Sequence, residues 1–165
     1  MSVNVDFSFA LSADEQGSGD LGTPRKLHAL SFLKSFASGT GTDQFDLVWS
    51  DERTVTGVSE TLDLVGTLTD AFGTVISGAK LCGIIVWNKA RTAGYELILG
   101  AAASPVFTGL FGASTERIKV RPGGLFVWLS PVDGATLVAA TADGLKVDPG
   151  ANTITYQIAL LMRSS

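Results

Sequence analysis

Val3-Asn-Val-Asp-Phe-Ser-Phe-Ala-Leu11 and Ile154-Thr-Tyr-Gln-Ile-Ala-Leu-Leu-Met162, one near each end of the chain, decide the fold. In the first, Val3, Val5, Phe7, Phe9 and Leu11 occupy every second position; in the second, Ile154, Tyr156, Ile158, Leu160 and Met162 do the same. Successive side chains of an extended strand point to opposite faces, so a period of two marks a strand half-buried on a core. Both segments are therefore expected as strands.

Between them the same grammar repeats. Arg117-Ile-Lys-Val-Arg121 alternates cleanly and runs into Pro122-Gly123, where Pro pre-sets the first central position of a type II turn and Gly supplies the positive φ of the second. Leu125 to Leu129 resumes the strand. Phe45, Leu47 and Trp49 alternate up to the polar cluster Ser50-Asp-Glu-Arg53, and Thr54–Thr56 and Glu60–Val65 follow as short strands. Lys80 to Trp87 is nearly all apolar and reads as a strand buried on both faces. Asn88–Gly94 is expected as a polar hairpin loop before Tyr95–Leu99, and Leu68–Gly73 as a turn or one helical turn. Lys26–Phe36 fits a short helix or a strand, with extended structure favoured. Ser12–Pro24, with Asp14, Glu15, Asp20 and several small residues, reads as an acidic, glycine-rich loop. Asp133-Gly, Asp143-Gly and Pro149-Gly mark later turns. About eight to ten short strands at this spacing predict an all-β protein, an antiparallel β-sandwich or jelly roll.

A chain of 165 residues suffices for one well-buried core and is short for two, so 1–165 is read as one domain, with 1–40 a candidate arm or attachment extension. Charged residues make up 17% against about 25% in typical soluble chains, and the mean hydropathy is positive. A surface so poor in charge predicts cover by other copies or by a partner. The net charge of −4 argues against a general nucleic-acid binder. Residues 1–11 lack the pattern of a signal peptide. Leu97–Ala113 is interrupted by Ser104, Pro105 and Thr108, so no membrane span is expected. Cys82 stands alone, which excludes an intrachain disulfide and fits folding in a reducing cytoplasm.

Candidate chemistry is sparse. Gly17-Ser-Gly-Asp-Leu-Gly22 matches the letters of a dinucleotide-binding turn, but that motif needs a helix directly after it, and Asp20 places a negative charge where a phosphate would sit. His28 has no evident partner, and Cys82 within Leu-Cys-Gly-Ile-Ile reads as a small buried hydrophobe. One His and one Cys cannot complete a structural zinc site without carboxylates. Calcium would need several oxygens in one loop, a density only Asp14–Asp20 approaches. Asp46, Asp51, Glu52 and Glu60 could furnish paired carboxylates, yet nothing singles out two of them. No catalytic, cofactor-binding or metal residue is assigned, and the chain is expected not to be an enzyme.

Two surfaces stand out instead. Arg117, Lys119 and Arg121 project from one strand face as a basic ridge, with Ile118 and Val120 inward; it suits an acidic neighbour or simply solvent. Phe126 and Trp128 lie opposite Leu125, Val127 and Leu129, so both faces of that strand are apolar, and Phe126 and Trp128 are taken as interface candidates.

The order Trp49-Ser-Asp-Glu-Arg-Thr54, Leu62-Asp-Leu-Val-Gly66, Leu68-Thr-Asp-Ala-Phe-Gly73, Lys80-Leu and Val120-Arg-Pro-Gly-Gly124 resembles small β-rich virion proteins of tailed bacteriophages. The resemblance spans about residue 41 to the C-terminus; the first forty residues depart from it. It implies a jelly-roll-like domain that trimerises and sits on the capsid exterior as a decoration (cement) protein bound to the major capsid protein or another virion protein. A head-fibre or tail module recognising host glycans through Trp87, Tyr95 and Trp128 is the alternative. It implies no catalytic residues.

Overall fold

Period-two patterning yields fourteen strands in the computed structural model, which describes residues 2–165, and no helix among them. In chain order they are β1 (Val5–Gln16), β2 (Arg25–Ser38), β3 (Gln44–Phe45), β4 (Leu47–Thr56), β5 (Glu60–Asp63), β6 (Val65–Thr69) and β7 (Val75–Ser77). The second half adds β8 (Lys80–Asn88), β9 (Leu97–Ala101), β10 (Arg117–Val120), β11 (Leu125–Leu129), β12 (Ala135–Thr136), β13 (Gly144–Asp148) and β14 (Thr153–Arg163).

Eight of these form two antiparallel sheets, ordered β10-β9-β13-β5 and β11-β8-β14-β4. Counted among themselves in chain order, those eight pair as 5-4-7-2 and 6-3-8-1. That is the two-Greek-key arrangement of a jelly roll, in which successive strands alternate between sheets except at the β9–β10 pair. The fold is an all-β sandwich of this type. The strand count exceeds the eight to ten expected because the sandwich carries the β1–β2 hairpin, the small β6–β7 ribbon and the two-residue strands β3 and β12.

The core is built by alternation. On β14, Ile154, Tyr156, Ile158, Leu160 and Met162 are all buried, as the spacing requires. They meet Ile84 and Val86 of β8 on their own sheet and Leu62, Leu97, Leu99, Leu145 and Val147 of the other. Each such side chain contributes about 1.5–3 kcal/mol relative to exposure, so the two inner faces together hold the sheets in register. Asn88, fully buried, joins them by polar means: its Nδ2 donates to the carbonyls of Tyr95 and Val120, both at 2.9 Å, and its Oδ1 accepts from Ala90 N at 3.0 Å.

The Pro122-Gly123 turn has the expected form, with Gly123 at φ +70° and Gly124 N–H donating to Arg121 C=O at 2.8 Å. Its role differs from a hairpin turn: it passes the chain from β10 in one sheet to β11 in the other. The expected hairpin loop at Asn88–Gly94 is corrected in the same way. It too crosses between sheets, since β8 pairs β11 and β14 while β9 pairs β10 and β13. Local turn chemistry does not distinguish a hairpin from a crossover. The turn expected at Leu68–Gly73 begins later, because β6 runs through Thr69 and Asp70 then caps the turn by accepting from Phe72 and Thr74 N–H.

The largest correction concerns residues 12–24. Strand β1 continues to Gln16 and β2 begins at Arg25, leaving only 17–24 as the connecting loop. Asp14 finds Arg25 across the ribbon and Glu15 finds His28 at 3.0 Å. A cross-strand ion pair and a cross-strand hydrogen bond support a strand that polarity alone argues against. The twelve-pair register from Val5↔Phe36 to Gln16↔Arg25 makes a long two-stranded arm. Lys26–Phe36 is thus strand, as favoured.

Candidate interaction surface

Strand alternation divides the arm into two unequal faces. Directly opposed residues share a face, so Val5, Phe7, Phe9, Leu11 and Ala13 stand with Phe36, Lys34, Phe32, Leu30 and His28. The other face carries Ser8, Ala10, Ser12, Ala29, Ser31 and Ser35, with Leu27 and Leu33 among them. At its root the apolar face is covered. Phe36 and Phe45, with ring centroids 4.7 Å apart, form a second small core with Cys82 and Leu161, and Val5, Phe7, Val48 and Leu129 pack around it. Beyond the root the cover ends: Phe9 is 47% exposed, Leu11 50%, Leu30 59% and Phe32 44%. The expectation that Val3–Leu11 lies half-buried on the core is therefore corrected. The alternation is real, but its outer half is not packed against the core.

The sandwich offers a matching surface. The outer face of the β11-β8-β14-β4 sheet places Leu125 and Val127 beside Ile85 and Trp87, next to Gln157 and Ala159 of β14. Leu125 and Val127 are exposed. Here the two faces of β11 separate. Phe126 and Trp128 turn inward and pack against the main core, whereas Leu125 and Val127 face out. With both faces apolar, pattern alone could not rank the two sides. A groove of about 720 Å³ runs between this edge and the arm, lined by Phe7, Phe9, Phe32, Leu125, Val127 and Leu129 among others. A second hollow of about 630 Å³ continues across the sheet past Trp87, Ile85, Glu52 and Gln157. Its charge is committed: Glu52 accepts from Lys89 and Gln157, both at 2.7 Å, which holds its carboxyl below the usual range.

The basic ridge is real in placement and muted in charge. Arg117, Lys119 and Arg121 are exposed, with Val120 buried behind them. Glu96 receives Lys119 at 2.9 Å and Arg121 at 3.2 Å, and the Lys119 ammonium holds the Glu96 carboxyl low. Arg117 folds back to the carbonyls of Ser114 and Glu116. Glu96 comes from the neighbouring segment, which residue spacing within 117–121 could not reveal.

The remaining candidates do not converge. Gly17, Gly19 and Gly22 lie in the arm's connecting loop between antiparallel strands, with no helix after them. Asp14 and Glu15 point to opposite faces of the arm, engaged by Arg25 and His28. His28 is at the far end of the arm; Cys82 is buried at its root, and burial pushes the thiol up despite Arg163 Nε donating to its sulfur at 3.1 Å. Asp51 and Glu60 both sit on the Arg53 guanidinium, at 3.0 and 2.7 Å, and Glu60 also accepts from Tyr156 Oη at 2.6 Å. Asp46 caps Ser164. No group of three or more His, Cys, Asp or Glu placed to hold a metal occurs among the described residues. Trp87 and Trp128 fall on opposite faces of one sheet, and Tyr95 packs against the core.

No family model, curated protein or solved structure matches the chain.

Proposed function

We propose that this chain is a non-enzymatic structural protein of a tailed-bacteriophage particle. In this reading it is an oligomeric capsid decoration protein, folded in the host cytoplasm, that binds the capsid exterior and stabilises the shell. The observation that carries the reading is the apolar arm. A two-stranded ribbon is at best marginally stable alone in water, and an exposed apolar face of this length fits a protein completed by assembly. Support also comes from the residues of possible chemistry: Asp51, Glu52 and Glu60 are engaged by cations, the single thiol is buried, and the single His lies far from it. A decoration protein acts mechanically. Each copy adds contact area across neighbouring capsid subunits, and many copies together resist internal pressure with an avidity no single contact supplies.

The second reading, a head-fibre or tail module that binds host glycans, draws on the hollow at Trp87. An aromatic face beside Gln157 and Glu52 is the chemistry that sugars favour. One experiment separates the two. Purified chain is mixed with undecorated capsids, sedimented and imaged. Copies spread over the whole shell are expected; copies at one vertex favour the fibre or tail reading, and absence from the pellet contradicts both forms of particle attachment.

A further inference from the structure

The arm raises a question its own chain leaves open: what covers Phe9, Leu11, Leu30 and Phe32. Its root is seated on the sandwich, but Leu11 lies four residues beyond Phe7, about 13 Å further along an extended strand. The second core that holds the root ends before that point. The same chain carries a second uncovered apolar strip, formed by Leu125 and Val127 on the edge strand with Ile85 and Trp87 beside them. Within one chain Phe9 and Phe32 flank the open groove beside this strip without closing it, and all four arm residues and Leu125 and Val127 stay exposed.

We infer that the arm is an exchange element between copies of this chain, its outer apolar face lying on the Leu125–Val127 strip of a neighbour. The inference rests on the oligomeric reading above and names its contact. Three observations select a second copy as occupant. The first is area. A ribbon of twelve residue pairs is about 40 Å long and about 10 Å wide. Covering it buries about 400 Å² on the arm and as much on the surface beneath. Two reciprocal arms give about 1,600 Å² at full length and about 800–1,100 Å² once the seated root is discounted, the low end of specific interfaces. A ring in which each arm reaches the next copy scales the same way and closes without a free end.

The second observation is charge. Between Val5 and Leu11 and between Leu30 and Phe36 the charged side chain on this face is Lys34, already held by Asp43 at 2.6 Å, and Glu52 on the sheet is held by Lys89. The third is composition. A lipid surface is the other apolar environment such a ribbon could enter, but membrane-facing strands anchor with Trp and Tyr. The arm, Val5 to Ser38, contains neither.

Sedimentation equilibrium of the full chain tests this. The wild type is expected at a multiple of 17.2 kDa at micromolar concentration. The pair Leu11→Asp with Leu30→Asp, on the apolar face, weakens self-association at least ~100-fold, since it buries unpaired charge. Val127→Asp does the same from the receiving side. The pair Ser12→Asp with Ser31→Asp, on the opposite face of the arm, leaves the oligomer intact. All these side chains lie outside the two buried clusters, so thermal midpoints stay close to the wild type and report that the domain is folded. As a second measure, Leu11→Cys copies and Val127→Cys copies, each also Cys82→Ala, form a disulfide-linked pair when mixed and not when kept apart. An oligomer indifferent to the apolar-face substitutions overturns the arm's role while leaving the oligomeric reading standing. A wild-type monomer overturns both. Release of dye from phosphatidylcholine–phosphatidylglycerol vesicles by the wild type, lost with Leu11→Asp, assigns the arm to lipid and overturns the inference.

Discussion

Tyr156 is the residue whose chemistry reaches furthest into stability. Its ring lies in the main core, and burial, with the Glu60 carboxylate beside its hydroxyl, pushes its ionisation well above the ordinary value of 10.0. The raised group binds its proton more tightly when folded, so its contribution is complete below pH 10 and fades as pH rises above that. Unfolding free energy should therefore fall steeply above pH 10. In Tyr156→Phe that alkaline slope should flatten, at the cost of one hydrogen bond. Urea titrations at pH 8 and pH 11 measure both effects; an unchanged slope in the variant contradicts the assignment. Asn88 makes a different kind of prediction. Asn88→Ala leaves two carbonyls and one amide buried without partners at the seam between sheets, and should lower stability by about 3 kcal/mol. A loss under 1 kcal/mol in denaturant titration means the seam is held by packing alone.

At the scale of elements, β11 shows how far a sequence can be read. Its existence and its two apolar faces are plain in Leu-Phe-Val-Trp-Leu, yet which face points inward depends on its partner. Pairing with β8 sets Phe126 and Trp128 over the core and Leu125 and Val127 outside. Val127→Glu should accordingly change association with little loss of stability, while Trp128→Glu should destabilise the domain by several kcal/mol through a charge forced into the core. Comparing thermal midpoints with sedimentation for the two variants checks this; equal behaviour refutes the facing. β14 was fully legible because one of its faces meets a continuous core. β1 carries as clean a pattern and yet half of it lies outside any core, since period two reports that a face is apolar and not what covers it. Residues 12–24 misled for a related reason: the charges there serve as cross-strand partners, which only the register reveals. Glu96 escaped notice beside the basic ridge because it lies more than twenty positions before the cations it holds.

For the whole molecule, the jelly roll and the arm play separate parts. The sandwich closes its own core, with buried side chains from both sheets. The arm is fastened at its base, where Arg163, buried next to Cys82, donates to the carbonyls of Gly41, Val132 and Asp133 and so ties the segment after β2 to the sandwich. Beyond that base it projects with its apolar face open. Fold alone assigns no role, since jelly rolls serve many; the exposed arm is what points to assembly. The most direct test is hydrogen exchange of the arm's backbone amides as a function of protein concentration. Amides of residues 8–13 and 28–33 should exchange fast in dilute solution and become protected as concentration rises, while those of β14 stay protected throughout. Arm amides whose exchange is the same at every concentration would contradict an arm completed by a second copy.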